Sequence, residues 1–180
     1  MTLEEMKEKV YTLIEEYDED ADELTNDPDF ALKMNNVINQ IQNELSRIKK
    51  IVGYTSKEVQ EGDTLTLSSI DKNIYQLDKI KDIDYELAGD TIIFNEEGTA
   101  RIYYFKYPKQ IDSETSDSYK FELSNDVLEI MPYGVAGDLL KSDVSSQYGT
   151  IYSKRYEEMK QMIDPRYSLG SIYIEGGIDV

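Results

Sequence analysis

The apolar residues of this chain change their period twice, and that change limits its possible folds more than any other feature. Up to position 50 they recur three and four residues apart: Met6, Val10, Leu13, Ile14 and Tyr17, then Phe30, Met34, Val37, Ile38, Ile41, Leu45 and Ile48. Such spacing lays one apolar stripe along a helix. After Gly53 the runs become short, rich in β-branched and aromatic residues and bounded by turn residues, as strands are. Helical spacing returns beyond Met131. A pattern of one period does not settle into the other element, so the chain must hold both kinds. The expected fold class is α+β: a helical frame, made of an N-terminal helix hairpin and C-terminal helices, with an inserted small antiparallel β-sandwich or barrel. The expected divisions are a helix pair at 1–52, a β module at 53–130, helices completing the frame at 131–165 and an extended tail at 166–180.

Local signals sharpen this outline. Thr2 and Glu5 have the spacing of a capping box. Asp27 before Pro28 marks a second helix start, and Arg47, Lys49 and Lys50 suit that helix's C-terminal end. The acidic link between the two helices predicts an antiparallel hairpin. Strands are expected at 64–67, 73–77, 91–94 and 101–107. The stretch "TIIFNEEGTARIYYFKYP" predicts a hairpin turning at Asn95 to Gly98 and ending at Pro108. Residues 109–119, "KQIDSETSDSY", predict a mobile polar loop. Pro132 suits the first turn of a further helix, where Gly134, Ala136 and Gly137 lead into Leu139 and Leu140. A break is expected near Ser145, Ser146 and Gly149; Tyr148, Tyr152, Tyr156, Met159 and Ile163 then share a face until Pro165. In the tail, Ile172 and Ile174 alternate with Tyr173, a strand pattern with no strand beside it in sequence. Such a terminus seeks the sheet edge of another chain.

Composition removes most chemistry. Without Cys there is neither a disulfide nor a thiolate metal site, and without His the commonest general base, zinc ligand and partner of a Ser nucleophile are missing. Triads, zinc hydrolases and Cys proteases are excluded, and neither an enzyme nor a cofactor is expected. The 37 acidic residues against 19 basic ones give a formal net charge of -18. With so many acids, carboxylate pairs arise at almost any spacing and carry no signal for glycosidic chemistry. The same charge repels phosphate backbones, so sequence-reading of DNA is not expected, whereas a face past which DNA slides without sticking is compatible. No basic region precedes an apolar run at the N-terminus, and no stretch reaches the roughly 18 apolar residues of a membrane span. A soluble protein made in the cytoplasm is expected.

Three groups of residues are candidates for a site. In "YDEDADELTNDPD", Asp18, Asp20, Asp22 and Asp29 fall at the first, third, fifth and twelfth positions of a calcium loop. Glu23 stands where that loop needs Gly and Pro28 interrupts its exit, so a solvated, charge-repelling link is the plainer use. The 15 Tyr against 4 Phe fit either a stacking platform for sugars and bases or a half-wet protein interface. Tyr103 and Tyr104 alternate along one strand, which favours the interface or a half-buried sheet. The third group, Tyr133, Ala136, Leu139, Leu140, Tyr148, Tyr152 and Tyr156, is expected to pack helices closely, within the chain or between subunits.

Three segments stand in a telling order: "DPDFALKMNNVINQIQNEL" in the helix pair, "GTARIYYFKYPKQI" in the β insertion and the return "LEIMPYGVAGDLLKSDVSSQYGTIYSKRYEEMKQMIDPR". In this order of elements the chain resembles the head-to-tail adaptor (connector) proteins of tailed bacteriophages. Within the third segment, Tyr133, Ala136 and Leu139 form a Y-x-x-A-x-x-L pattern, followed by the Tyr-rich run Tyr148, Tyr152 and Tyr156. What it implies is a structural protein of the virion neck, made in the host bacterial cytoplasm. It would form a ring, usually a dodecamer, under the portal, extend the DNA channel and present a docking surface to the next neck or tail protein. It also implies that a tail bearing Ile172, Tyr173 and Ile174 docks on the portal. The rival expectations are a calcium- or carbohydrate-binding β module and an acidic DNA-mimic inhibitor.

Overall fold

The computed structural model describes residues 1–15, 28–141 and 147–165. Its helices are α1 (Leu3–Glu15), α2 (Pro28–Ile48), the short α3 (Leu67–Ile70) and α4 (Asn125–Leu128), then α5 (Met131–Leu140) and α6 (Gln147–Lys160). Its strands are β1 (Ile51–Val59), β2 (Thr64–Thr66), β3 (Ile74–Lys81), β4 (Tyr85–Ala88), β5 (Thr91–Phe94) and β6 (Gly98–Lys106). The expected α+β class is the class found.

The capping box closes as spaced: Thr2 N donates to Glu5 Oε2 at 2.9 Å and Glu5 N to Thr2 Oγ1 at 3.2 Å. The remaining early amides of α1 also find partners, Leu3 N on Tyr119 O and Glu4 N on Asp117 O, so the helix start leaves no donor to solvent. Met6, Val10 and Ile14 of α1 and Met34, Ile38, Ile41 and Leu45 of α2 are buried, as their period predicts.

What covers those stripes is α5. Eight of its ten residues are buried, all but Tyr133 and Asp138, and a helix apolar on every side belongs inside a bundle. Helices α1, α2 and α6 all pack on it, and α1 and α2 lie closer to α5 than to each other. The N-terminal helix pair thus shares one buried partner. Each of its arms finds its main cover in α5, whose small residues let three backbones approach. A Cβ on Gly137 would lie 2.9 Å from Ser153 N, and one on Gly134 would lie 3.0 Å from the Tyr156 ring and 3.2 Å from Ile41. Gly149, expected at a break, sits inside α6, where a Cβ would lie 3.1 Å from Leu140 Cβ. Ser145 and Ser146 fall outside the described residues.

The β module consists of two three-stranded antiparallel sheets, in orders β1-β6-β3 and β2-β5-β4, packed on one core that takes Ile92 and Phe94 from the second sheet and Ala100, Ile102 and Tyr104 from the first. This is an open sandwich and not a closed barrel. The predicted hairpin at Asn95 to Gly98 does not form, because β5 and β6 lie in different sheets. Asn95 bonds back to the corner before β4, its N to Asp84 O at 3.0 Å and its Nδ2 to Asp84 Oδ2 at 3.1 Å, and Gly98 at φ 150° redirects the chain. The hairpin lies instead one turn earlier, joining β4 and β5 through Gly89 and Asp90, with Gly89 at φ 62°. A two-residue loop with Gly first and no positive φ at its second residue is the type II′ geometry. Strand β1 runs in register with all of β6, and Gly53 admits the Tyr104 ring across that ladder, where a Cβ would fall 2.1 Å from a ring carbon.

The segment after β6 corrects a further expectation. Side chains of α2 hold its backbone: Gln42 Nε2 donates to Lys109 O at 3.0 Å, Asn39 Nδ2 to Ile111 O at 2.7 Å, and Ile111 N donates back to Asn39 Oδ1 at 2.8 Å. Ile111 is buried in the helical core. A stretch so fastened is a strap along α2 and not a mobile loop. Beyond it, Asp112 N donates to Thr115 Oγ1 at 3.0 Å, and Lys120 bridges to Thr2.

Candidate functional site

Of the expected helix-packing or interface residues, Ala136, Leu139, Leu140, Tyr152 and Tyr156 are buried within the chain. They serve the helical core. Tyr156 OH donates to Glu44 Oε2 at 3.1 Å, and Lys160 Nζ meets Glu44 Oε1 and Glu157 Oε1, each at 2.6 Å, so the group ties α6 to α2. Burial, with the Glu44 carboxylate beside it, pushes the Tyr156 phenol far above its ordinary range. Burial alone would lower the Lys160 ammonium, but the carboxylates of Glu157 and Glu44 hold it above its usual value. Nothing in the spacing of Glu44, Tyr156 and Lys160 announces this cluster, because its members come from helices far apart in sequence.

Two members of the group face outward. Tyr133 is half-buried at the start of α5 and Tyr148 is 41% exposed at the start of α6. Tyr152 lies between them, its ring centroid 6.2 Å from each, and its hydroxyl donates to Leu13 O at 2.9 Å. The three rings make a row along the junction of α1, α5 and α6. Ile151, 53% exposed, continues the apolar surface, and the Arg155 guanidinium sits 4.5 Å from the Tyr133 centroid. Beside the row lies a cleft of about 240 Å³ lined by Lys9, Thr12, Leu13, Glu129, Pro132 and Tyr133, with the Lys9–Glu129 ion pair at 3.0 Å on its rim. An apolar floor, a polar rim and partly exposed aromatic rings are the anatomy of a protein contact.

The strand tyrosines separate as alternation predicts: Tyr104 enters the core, whereas Tyr103 faces out. Tyr103 is not alone there, since Tyr54 of β1 stands across the ladder with ring centroids 5.1 Å apart. Tyr107 follows the strand and accepts from Arg47 Nε at 2.9 Å. Asp18, Asp20 and Asp22, the Asp29 side chain, and the tail residues Ile172, Tyr173 and Ile174 lie outside the described residues. Among the described residues no three acidic side chains are grouped to hold a metal ion, and no helix is long and apolar enough to cross a membrane. The chain matches no protein-family model and no curated protein.

Proposed function

We propose that this protein is a head-to-tail adaptor of a tailed-phage virion, whose copies close into a ring under the portal, extend the DNA channel and offer the tail its docking surface. The observation that carries the reading is the apolar face left in solvent by the helical frame, where Tyr148 and Ile151 are 41% and 53% exposed beside the half-buried Tyr133 and the cleft. A subunit that presents such a face to a different face of the next copy forms a heterologous contact, which closes into a ring when the rotation per copy closes. The order of elements, a helical frame interrupted by a β module, supports the resemblance. The net charge of -18 suits a channel wall past which DNA moves without being held. No bond-making step is required.

The test is co-sedimentation with the portal, comparing the full chain with a chain ending at Gly170. The full chain is expected to travel with the portal, and the shortened one to keep its melting temperature but stay behind. Equal co-sedimentation would remove the tail from the docking. Failure of the full chain to co-sediment would remove the adaptor reading itself.

A further inference from the structure

The two sheets of the β module carry opposite charge. On the outward side of the first sheet, aromatic rings and cations alternate along β6 and its continuation. Arg101 leads, Tyr103 follows beside Tyr54, and Lys79 and Lys81 of β3 place their Nζ atoms 5.5 and 5.8 Å from the Tyr103 centroid. Beyond Tyr103 the face is covered: Phe105 is buried with Lys50 Nζ 4.1 Å from its centroid, and Tyr107 is half-buried with the Arg47 guanidinium 5.3 Å away, so this end packs on the end of α2. The open part of the strip is its end at Arg101 and Tyr103, with Tyr54, Lys79 and Lys81 beside them. Tyr54 is 53% exposed, and the side chains of Lys79 and Arg101 are 43% and 49% exposed, Lys79 standing 3.8 Å from Asp78 and Arg101 being paired with Asp82. The second sheet is the reverse. No Lys or Arg occurs in 58–71 or in 82–98, the segments that contain β2, β4, β5 and the turns around them. Glu61, Asp63, Glu86, Asp90, Glu96 and Glu97 are all exposed there.

We infer that the β module is one half of the contact between copies: the cationic, aromatic sheet of one copy receives the acidic sheet of the next, head to tail. The inference rests on the self-assembly part of the adaptor reading and names the surfaces that meet. Two observations favour an acidic protein surface over single-stranded nucleic acid. The rings are tilted, with 47° between Tyr54 and Tyr103, and ammonium or guanidinium groups already lie against Tyr103, Phe105 and Tyr107, so no open flat platform awaits a base. Rings used in this way hold the cations in place and leave N–H donors for carboxylates. The other observation is the charge of the whole chain, which repels a polyphosphate all along its length. A folded copy meets the strip with only its acidic sheet, and repulsion between more distant exposed charges is screened beyond about 8 Å at physiological salt. Because the two surfaces differ, the contact propagates in one direction and makes a ring when the rotation per copy closes.

The test uses two charge-reversed full-length variants, Lys79→Glu/Lys81→Glu and Glu86→Lys/Asp90→Lys, with assembly followed by sedimentation over a range of concentrations and folding checked by circular dichroism and melting temperature. Each variant alone is expected to assemble at least roughly tenfold more weakly than the parent, the loss of close interfacial charge pairs. An equimolar mixture is expected to recover assembly, because each reversed surface then finds its complement on the other variant. Folded variants that assemble like the parent would overturn the inference and leave the adaptor reading standing. No assembly by the parent at any concentration, alone or with the portal, would overturn both. Binding of a labelled oligo-dT by the parent that is lost in Lys79→Glu/Lys81→Glu while assembly persists would make the strip a nucleic-acid site instead.

Discussion

Glycines and amides carry more of this structure than their sizes suggest. Replacing Gly by Ala inside a helix ordinarily gains about 1 kcal/mol. At Gly137 the added Cβ would stand 2.9 Å from Ser153 N, a backbone atom that cannot swing aside. Overpacking of that kind costs about 1–3 kcal/mol. Gly137→Ala is therefore expected to lower the melting temperature by several degrees, and a rise would mean that α5 and α6 are not so close. Asn39 acts differently, meeting both the N–H and the C=O of Ile111. Asn39→Leu leaves those groups unpaired, a loss of about 1–3 kcal/mol each where they stay dry. Hydrogen exchange at the Ile111 amide should accelerate, and unchanged protection would contradict the strap. The sequence shows Asn35, Asn39 and Gln42 at helical spacing beside the apolar stripe of α2. What they hold was not legible, because their partners are main-chain atoms and those leave no mark in side-chain pattern.

At the scale of elements, period alone located α1, α2 and β5, since each buries one regular face. It misplaced the hairpin because a turn signal says where a chain reverses and not which strand receives it. Asn95 is spent on Asp84, and β6 pairs instead with β1 and β3. The real hairpin at Gly89 and Asp90 carried the same kind of signal, in a flank too short to stand out. The α2–α6 tie makes the fold sensitive to base. For Tyr156 and Lys160 the folded pKa lies above the ordinary one. Both groups therefore contribute stability that is whole below their unfolded values, about 10 and 10.4, and is lost as pH rises through the folded ones. Denaturant unfolding at about pH 7 and about pH 11 should show a smaller alkaline loss of stability for Tyr156→Phe than for the parent. Equal losses would take Tyr156 out of the account. Of the candidate face, Tyr133 and Tyr148 were legible in the Tyr spacing. Ile151 and the cleft were not, because they depend on how α1 meets α5 and α6.

The whole molecule joins a helical frame organised around one buried helix to a β sandwich whose two sheets differ in charge. Neither part brings together the groups of a familiar catalytic site among the described residues; both leave surfaces that suit another copy. The frame offers an apolar row of rings, and the sandwich offers a cationic strip on one side and acids on the other. The central claim is that identical copies fit together through these surfaces. It is tested most directly by electron microscopy of the purified full chain, alone and mixed with the portal. Closed rings are predicted, free or seated on the portal. Isolated single copies in both samples would contradict the account.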